Sequence, residues 1–393
     1  MLRPLVLAAS LSLATNAQAA NYVVSTLADS GAGSLREAVG FANATPGVPD
    51  TITFAAPGLI TLTSGQLTVT DTLTITGAGP RLMTLDANLN SRHFEIQGNT
   101  TNLTLIGMSL INGLVNTNGG AILNSTGGNL TLSYMTLASN QAGGDGGAIY
   151  DGFQPDVDGN SVNFLTISNS TFSINRANKA AGIFHSGYEL RIDNSTFYNN
   201  IANDSVGGIH EQGGFATIRN ATISDNNATF VGGVLSENST ITFESTIVAN
   251  NTDSTGLNDI NRIGSGTVGA SNSLFQEDIA ATSVLNGTNS ANLIATDPQL
   301  LGFGDYGGPT NAMRPGPSSP AIGVGSNAQG YAFDQRGTGY PRDAGGAVDI
   351  GAIQGAYPAA PVLPSIPVPA LAPAALGALS FAVAMLGLRR RRR

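Results

Sequence analysis

A block of about 25 residues recurs through the middle of the chain, and its internal pattern leaves few folds open. Leu103-Thr104-Leu105, Leu130-Thr131-Leu132, Leu165-Thr166-Ile167, Leu190-Arg191-Ile192, Ala216-Thr217-Ile218 and Ile241-Thr242-Phe243 follow one another at steps of 27, 35, 25, 26 and 25 residues. A second track keeps the same phase and ends each time on asparagine: Asn140, Asn175, Asn200, Asn226 and Asn250. A third track runs Gly119 to Ile122, Gly146 to Ile149, Ala181 to Phe184, Gly207 to His210 and Gly232 to Leu235. Such a period means a solenoid, in which each repeat buries its apolar side against its neighbours.

The apolar runs are short, alternating and rich in Thr, Ile, Val, Leu and Phe, with Asn, Gly, Ser and Asp between them. That is strand and turn chemistry, and it excludes helical repeats, which need longer runs with 3.6-residue spacing. At ~3.3 Å per residue, one repeat makes a coil of three short strands, and coils stack in parallel ~4.8 Å apart. The expectation is an all-β, right-handed parallel β-helix of roughly ten coils. Asn tolerates the left-handed backbone at a tight bend, and stacked side-chain amides can bond along the coils, so the five asparagines read as a structural ladder. Gly113 stands where the first coil would carry its Asn, which starts the ladder one coil later.

The ends read as addresses. Residues 1–19 form a signal peptide, with Arg3, an apolar core from Leu5 to Leu13, and the small-residue site Ala17-Gln18-Ala19. Residues 356–373 are a Pro/Ala-rich linker. Residues 374–393 are apolar up to Leu388 and end in five arginines. Counted from Ala370, that apolar stretch is 19 residues, long enough for a transmembrane helix in the precursor, and its arginines place the solenoid outside the cell. Removing Arg3 and the five terminal arginines from 17 basic residues leaves 11 against 26 acidic, a net charge of −15. This surface disfavours nucleic acid and anionic lipid as partners, and is compatible with calcium or neutral glycans. With no cysteine in the chain, disulfides and thiolate chemistry are excluded.

Residues 20–50 read as an N-terminal cap. Ser34 and Glu37 form a capping box, and Leu35, Ala38, Val39 and Ala42 share one face of the helix that follows, suited to covering the open end of the stack. Tyr22-Val-Val-Ser-Thr-Leu-Ala-Asp29, Gly33-Ser-Leu-Arg-Glu-Ala38, Asn43-Ala-Thr-Pro46 and Asp50-Thr-Ile-Thr-Phe54 resemble a CSLREA domain, with Gly33 where that family often has cysteine. Residues 51–296 carry the repeats, whose Phe-x-x-Asn and Gly-Gly-Ala-Ile tracks are similar to those of polymorphic outer-membrane proteins, which are surface adhesins. Within 297–355, Asp297-Pro-Gln-Leu-Leu301, Gly304-Asp-Tyr-Gly-Gly-Pro309, Ser318-Ser-Pro-Ala-Ile322, Asp334-Gln-Arg-Gly337 and Val348-Asp-Ile-Gly-Ala352 resemble, in order, a choice-of-anchor Q domain, read as C-terminal coils. Ile366-Pro-Val-Pro-Ala-Leu371 with its helix and arginines resembles PEP-CTERM and IPTL-CTERM sorting tails. That resemblance implies an exosortase-like membrane peptidase as partner; a permanent single-span anchor is the alternative.

Together these resemblances imply export and surface display, transient or permanent attachment at the C-terminus, and a structural or adhesive, non-catalytic role in binding a polysaccharide, matrix or cell-surface glycan. The alternative is an extracellular polysaccharide lyase or glycoside hydrolase on the same scaffold. For that reading, His185 and His210, one residue apart in phase, together with Asp204 and Glu211, are the catalytic candidates for acid–base work or a metal site. No cofactor is required, although an insertion from Asp151 to Asn160 carries Asp156, Asp158 and Asn160 in an order like the opening of a calcium loop. Ser161 and Ile167 depart from the remainder of that pattern, and a polar loop without ligand is the other reading. Tyr150 and Phe153, beside the insertion, are the candidate sugar-stacking aromatics.

Overall fold

The computed structural model describes residues 18–152, 163–343 and 346–355. These form a parallel β-solenoid of about nine turns, and α1 (Leu35–Asn43) is the one α-helix among the described residues. Eleven strands stack into one sheet, from Asn21–Val24 to Asn289–Ser290, and ten into a second, from Gly58–Thr61 to Leu293–Ile294. Eight form a third, from Leu67–Val69 to Ile260–Ile263, and four two-residue strands make a small fourth.

The repeat sets the register. Leu103, Leu130, Leu165, Leu190, Ala216 and Ile241 align as one column in the eleven-stranded sheet. Leu110, Leu137, Phe172, Phe197, Ile223 and Val248 align in the ten-stranded sheet. Ile122, Ile149, Ile183, Ile209, Val234 and Ile260 align in the eight-stranded sheet. All three columns are buried and meet in one core. Each such side chain withdrawn from water contributes ~1.5–3 kcal/mol, and stacking adds to it where like rings superpose, as Phe172 does on Phe197 with centroids 4.6 Å apart.

Two expectations about the tracks need correction by one residue. In the third track, the coils from Ala181 onward are one residue shorter before the strand, so Ile183, Ile209 and Val234 take the inward position. Phe184, His210 and Leu235 therefore point outward with Tyr150 and Leu123. In the second track, Val248 and not Ile247 pairs with Ile223, so the ladder passes through Asn251 rather than Asn250.

The ladder is a continuous chain of amides. The backbone N–H and Nδ2 of Asn140 both donate to Oδ1 of Asn175, and the same pair of bonds links Asn175 to Asn200, Asn200 to Asn226, and Asn226 to Asn251. The remaining Nδ2 hydrogen reaches back to a carbonyl of an earlier coil, as from Asn200 to Phe172 O at 3.1 Å. The ladder starts at Gly113, whose N–H donates to Asn140 Oδ1, and ends on Asp259 Oδ1, which accepts both donors of Asn251. Left-handed geometry belongs to the preceding residue in each coil: Ser139, Ile174, Asn199, Asp225 and Asn250, with φ between 51° and 59°. Asn250 is thus a bend residue.

The cap agrees with its sequence. Ser34 Oγ accepts from the Glu37 N–H at 3.2 Å, and Glu37 Oε2 reaches back to the Gly33 N–H at 2.6 Å. Leu35, Ala38, Val39 and Ala42 are buried against the first coils.

Residues 297–355, expected as C-terminal coils, add no strand to the stack and instead run back along it as a strap. Gly and Pro recur through this segment and its apolar alternation is brief, as at Val348-Asp349-Ile350, which favours an irregular path over a further coil. Val324 O accepts from Asn272, Ser326 N–H donates to Ser245, Ala352 N–H donates to Thr222, and Gln335 bonds Thr196 and Thr171. Further along, Gly308 O accepts from Arg81. Inside the strap, Arg336 forks onto Asp334 at 2.6–3.1 Å, both side chains being buried. Asp349 does not pair with that arginine; its carboxylate accepts from the Gly323 and Gly355 N–H groups.

Candidate functional site

The eight-stranded sheet carries the titratable candidates, and side-chain alternation decides which of them meet. His185 aligns with Asp151 on one side and Glu211 on the other, whereas His210 aligns with Phe184. Consecutive residues in a strand point to opposite faces, so the two histidines are separated by the sheet: His185 inward, His210 outward. The expected convergence of His185, His210, Asp204 and Glu211 on one face does not occur. Asp204 is exposed on a turn, and among the described residues its carboxylate makes no hydrogen bond or ion pair with either histidine.

Inward, four polar residues follow one another in register: Asn124, Asp151, His185 and Glu211, each fully buried. Asp151 Oδ1 accepts from Asn124 Nδ2 at 2.7 Å and from Asn163 Nδ2 at 2.9 Å. His185 Nδ1 lies 2.7 Å from Glu211 Oε2, and His185 Nε2 lies 3.9 Å from Asp151 Oδ2. Burial pushes the Asp151 carboxyl up to about 6, against the opposing pull of His185 and the two asparagines. Burial also works against a charged His185, but the Glu211 carboxylate outweighs it and the imidazole titrates above its ordinary range. Burial raises Glu211 in turn. This column can hold and share protons in the core; it has no face open to a polymer.

Outward, His210 Nε2 lies 2.9 Å from Glu237 Oε2, and burial lowers the imidazole despite that carboxylate. Its ring stands edge-on to Phe184, which stacks on Tyr150 with centroids 5.0 Å apart and planes within 4°. Tyr150 is thus half-buried in an outward stack, with its hydroxyl pushed up by burial and by the charge of Asp145. Phe153, Asp156, Asp158 and Asn160 lie outside the described residues. Among the described residues no group of three or more His, Cys, Asp or Glu is placed to hold a metal ion, and no helix is long and apolar enough to cross a membrane.

One feature of the surface lies beyond the sequence candidates. Phe164, Tyr188 and Phe215 are 36%, 47% and 52% exposed, on three successive coils. Their centroids are 5.6 and 5.8 Å apart in sequence, each adjacent pair meeting edge to face. Phe164 and Phe215 align with Glu189 from either side, and Tyr188 immediately precedes it. Asn163 ties this row to the buried column: its Oδ1 accepts from the Tyr188 N–H at 3.0 Å while its Nδ2 holds Asp151. The signal available in sequence was the recurring residue just before or at the start of each Leu-Thr-Leu strand, where aromatics replace the Asn102 and Asn129 of earlier coils. Likewise Ile-Leu-Asn124, Ile-Tyr-Asp151, Ile-Phe-His185 and Ile-His-Glu211 line up once the third track is counted from its isoleucines.

No protein-family model matches the chain, and no curated protein matches it significantly.

Proposed function

We propose that this is an exported bacterial surface protein, a right-handed parallel β-helix that binds a glycan, matrix or cell surface without chemically altering it. The observation that carries the reading is the division of side chains in the eight-stranded sheet and beside it. The acid–base groups Asp151, His185 and Glu211 are sealed in the core, while exposed aromatic and polar side chains recur on successive coils outside. Weak contacts repeated along a stack suit adhesion; cleavage of a polysaccharide requires a proton donor and acceptor within reach of it.

In this reading residues 1–19 are removed on export, and the apolar tail 374–393 spans the membrane in the precursor until an exosortase-like peptidase removes it. The resemblances to CSLREA, choice-of-anchor Q and sorting-tail sequences support that route. Calcium binding at Asp156, Asp158 and Asn160 is a subsidiary proposal, tested by calorimetry of wild type against Asp156→Ala.

The test is a reducing-sugar and unsaturated-product assay on acidic and neutral polysaccharides, with calcium and with chelator, beside glycan and cell-adhesion screens. Adhesion without turnover is the expected result. Turnover abolished by His185→Ala or His210→Ala would replace this reading with a carbohydrate-active enzyme.

A further inference from the structure

We propose that the row Phe164–Tyr188–Phe215 is a binding site for a neutral, extended β-1,4-linked polysaccharide lying along the stacking direction of the coils. The proposal rests on the surface-binding reading above and names its ligand class.

Scattered exposed apolar side chains are ordinary on a folded chain, but three aromatic rings in contact with one another form a contiguous apolar patch, the kind of surface that marks a binding site. Sugar rings have apolar C–H faces and polar edges, which suits them to aromatic surfaces flanked by hydrogen-bonding groups. Here the flanking groups are present. Glu189 stands in register between Phe164 and Phe215, and Thr240 continues the column on the next coil.

The spacing favours one glycan geometry. Phe164 and Phe215 sit two coils apart, a rise of ~9.6 Å at strand spacing, and both present themselves at steep angles to Tyr188, 73° and 63°. In an extended β-1,4 chain alternate sugars turn the same face outward, so the two-sugar repeat is close to the two-coil repeat. Phe164 and Phe215 would then meet equivalent sugars, with Tyr188 against the one between. Charge selects further. A net charge of −15 without the signal segment and the terminal arginines, and Glu189 at the centre of the row, oppose a uronate polymer and leave a neutral one favoured.

The row is also held in place. Tyr188 N–H donates to Asn163 Oδ1, Phe215 N–H donates to Tyr188 O at 3.0 Å, and Phe164 N–H donates to Asn129 Oδ1 at 2.9 Å. Asn163 is itself fixed by the buried Asp151. A surface fixed in advance loses little entropy when a ligand settles on it.

The experiment is isothermal titration of the purified protein with cellohexaose, chitohexaose and polygalacturonate. Binding of a neutral hexaose is expected, weakened about tenfold by Tyr188→Ala and by Phe215→Ala. Tyr188→Phe, which keeps the ring, and Phe230→Ala, an exposed phenylalanine elsewhere on the surface, should leave it unchanged. Circular dichroism of each variant separates loss of site from loss of fold, and Phe215→Ala, at the more exposed position, serves if Tyr188→Ala unfolds. Heat from neither hexaose, tighter binding of polygalacturonate, or equal weakening by Phe230→Ala would overturn the site. Cell adhesion that survives the Tyr188→Ala/Phe215→Ala pair would overturn this site while leaving the surface-binding reading standing; turnover of the hexaoses would overturn that reading itself.

Discussion

Asn250 and Asn251 are neighbours with different physical jobs, and substitution separates them. Asn251 accepts two donors from Asn226 and gives two to Asp259, all in the core. Asn251→Ala strands those groups and should cost about 2–4 kcal/mol in urea denaturation. Asn250→Gly keeps the left-handed bend at φ 58° and should change stability by less than about 0.5 kcal/mol. A second prediction concerns Asp151, whose neighbours in the titration are His185 and Glu211. Its folded pKa of about 6 lies above the ordinary 3.8, so the native state holds the proton more tightly. The resulting stability is complete below about pH 4 and lost as pH rises through 6, a change on the order of 2–3 kcal/mol. Asp151→Asn keeps the acceptor for Asn124 and Asn163 and should flatten thermal stability across that window. An unchanged pH profile in the variant would remove Asp151 as its source. The ladder residues Asn140, Asn175, Asn200 and Asn226 were legible because repetition fixes their phase. Asn251, Asp151 and Asn163 were not, because a one-residue slip in counting moves a side chain from core to surface and nothing in a single repeat reveals it.

The cap and the strands follow from local sequence in different degrees. Helix α1 has its N-cap, its returning glutamate and its apolar face all written within ten residues; the cap and the face find the expected partners, while Glu37 reaches one residue past Ser34 to the Gly33 N–H. Ser34→Ala should therefore cost about 1 kcal/mol through the lost cap alone. Leu35→Asp acts otherwise. It places a charge in the contact between helix and first coils, and the uncovered end of the stack offers apolar side chains and unpaired strand edges to other molecules. Light scattering should show association in Leu35→Asp and none in Ser34→Ala, whose helix still covers the end. Equal association in both would mean that the cap protects through its own stability and not through coverage. Strand positions were readable to within a residue from alternation. The strap was not, since residues 297–355 fold against distant coils and carry no periodicity of their own.

The strap joins many coils into one cooperative unit. A solenoid's stability otherwise accumulates from neighbour to neighbour, and coils far apart do not sense each other. By bonding Asn272, Ser245, Thr222, Thr196, Thr171 and Arg81, the strap ties together the coils that carry both the buried proton-sharing column and the aromatic row. It also buries Thr171, Thr196 and Thr222, hydroxyls that a bare stack would leave facing water. Its own shape depends on the buried fork between Arg336 and Asp334. Removing one member leaves the other charged and unpaired, which costs about 3–5 kcal/mol, whereas removing both costs far less. Asp334→Ala should free the strap, so limited proteolysis followed by mass spectrometry should find early cuts between residues 297 and 343 with the coils still resistant. The Asp334→Ala/Arg336→Leu pair should recover much of the protection. Cuts appearing at the same rate in coils and strap would mean that the strap is required for the stack to exist, and that cooperativity runs through it from the first folding event; protection unchanged in Asp334→Ala would mean that the contacts with the coils hold the strap without its ion pair.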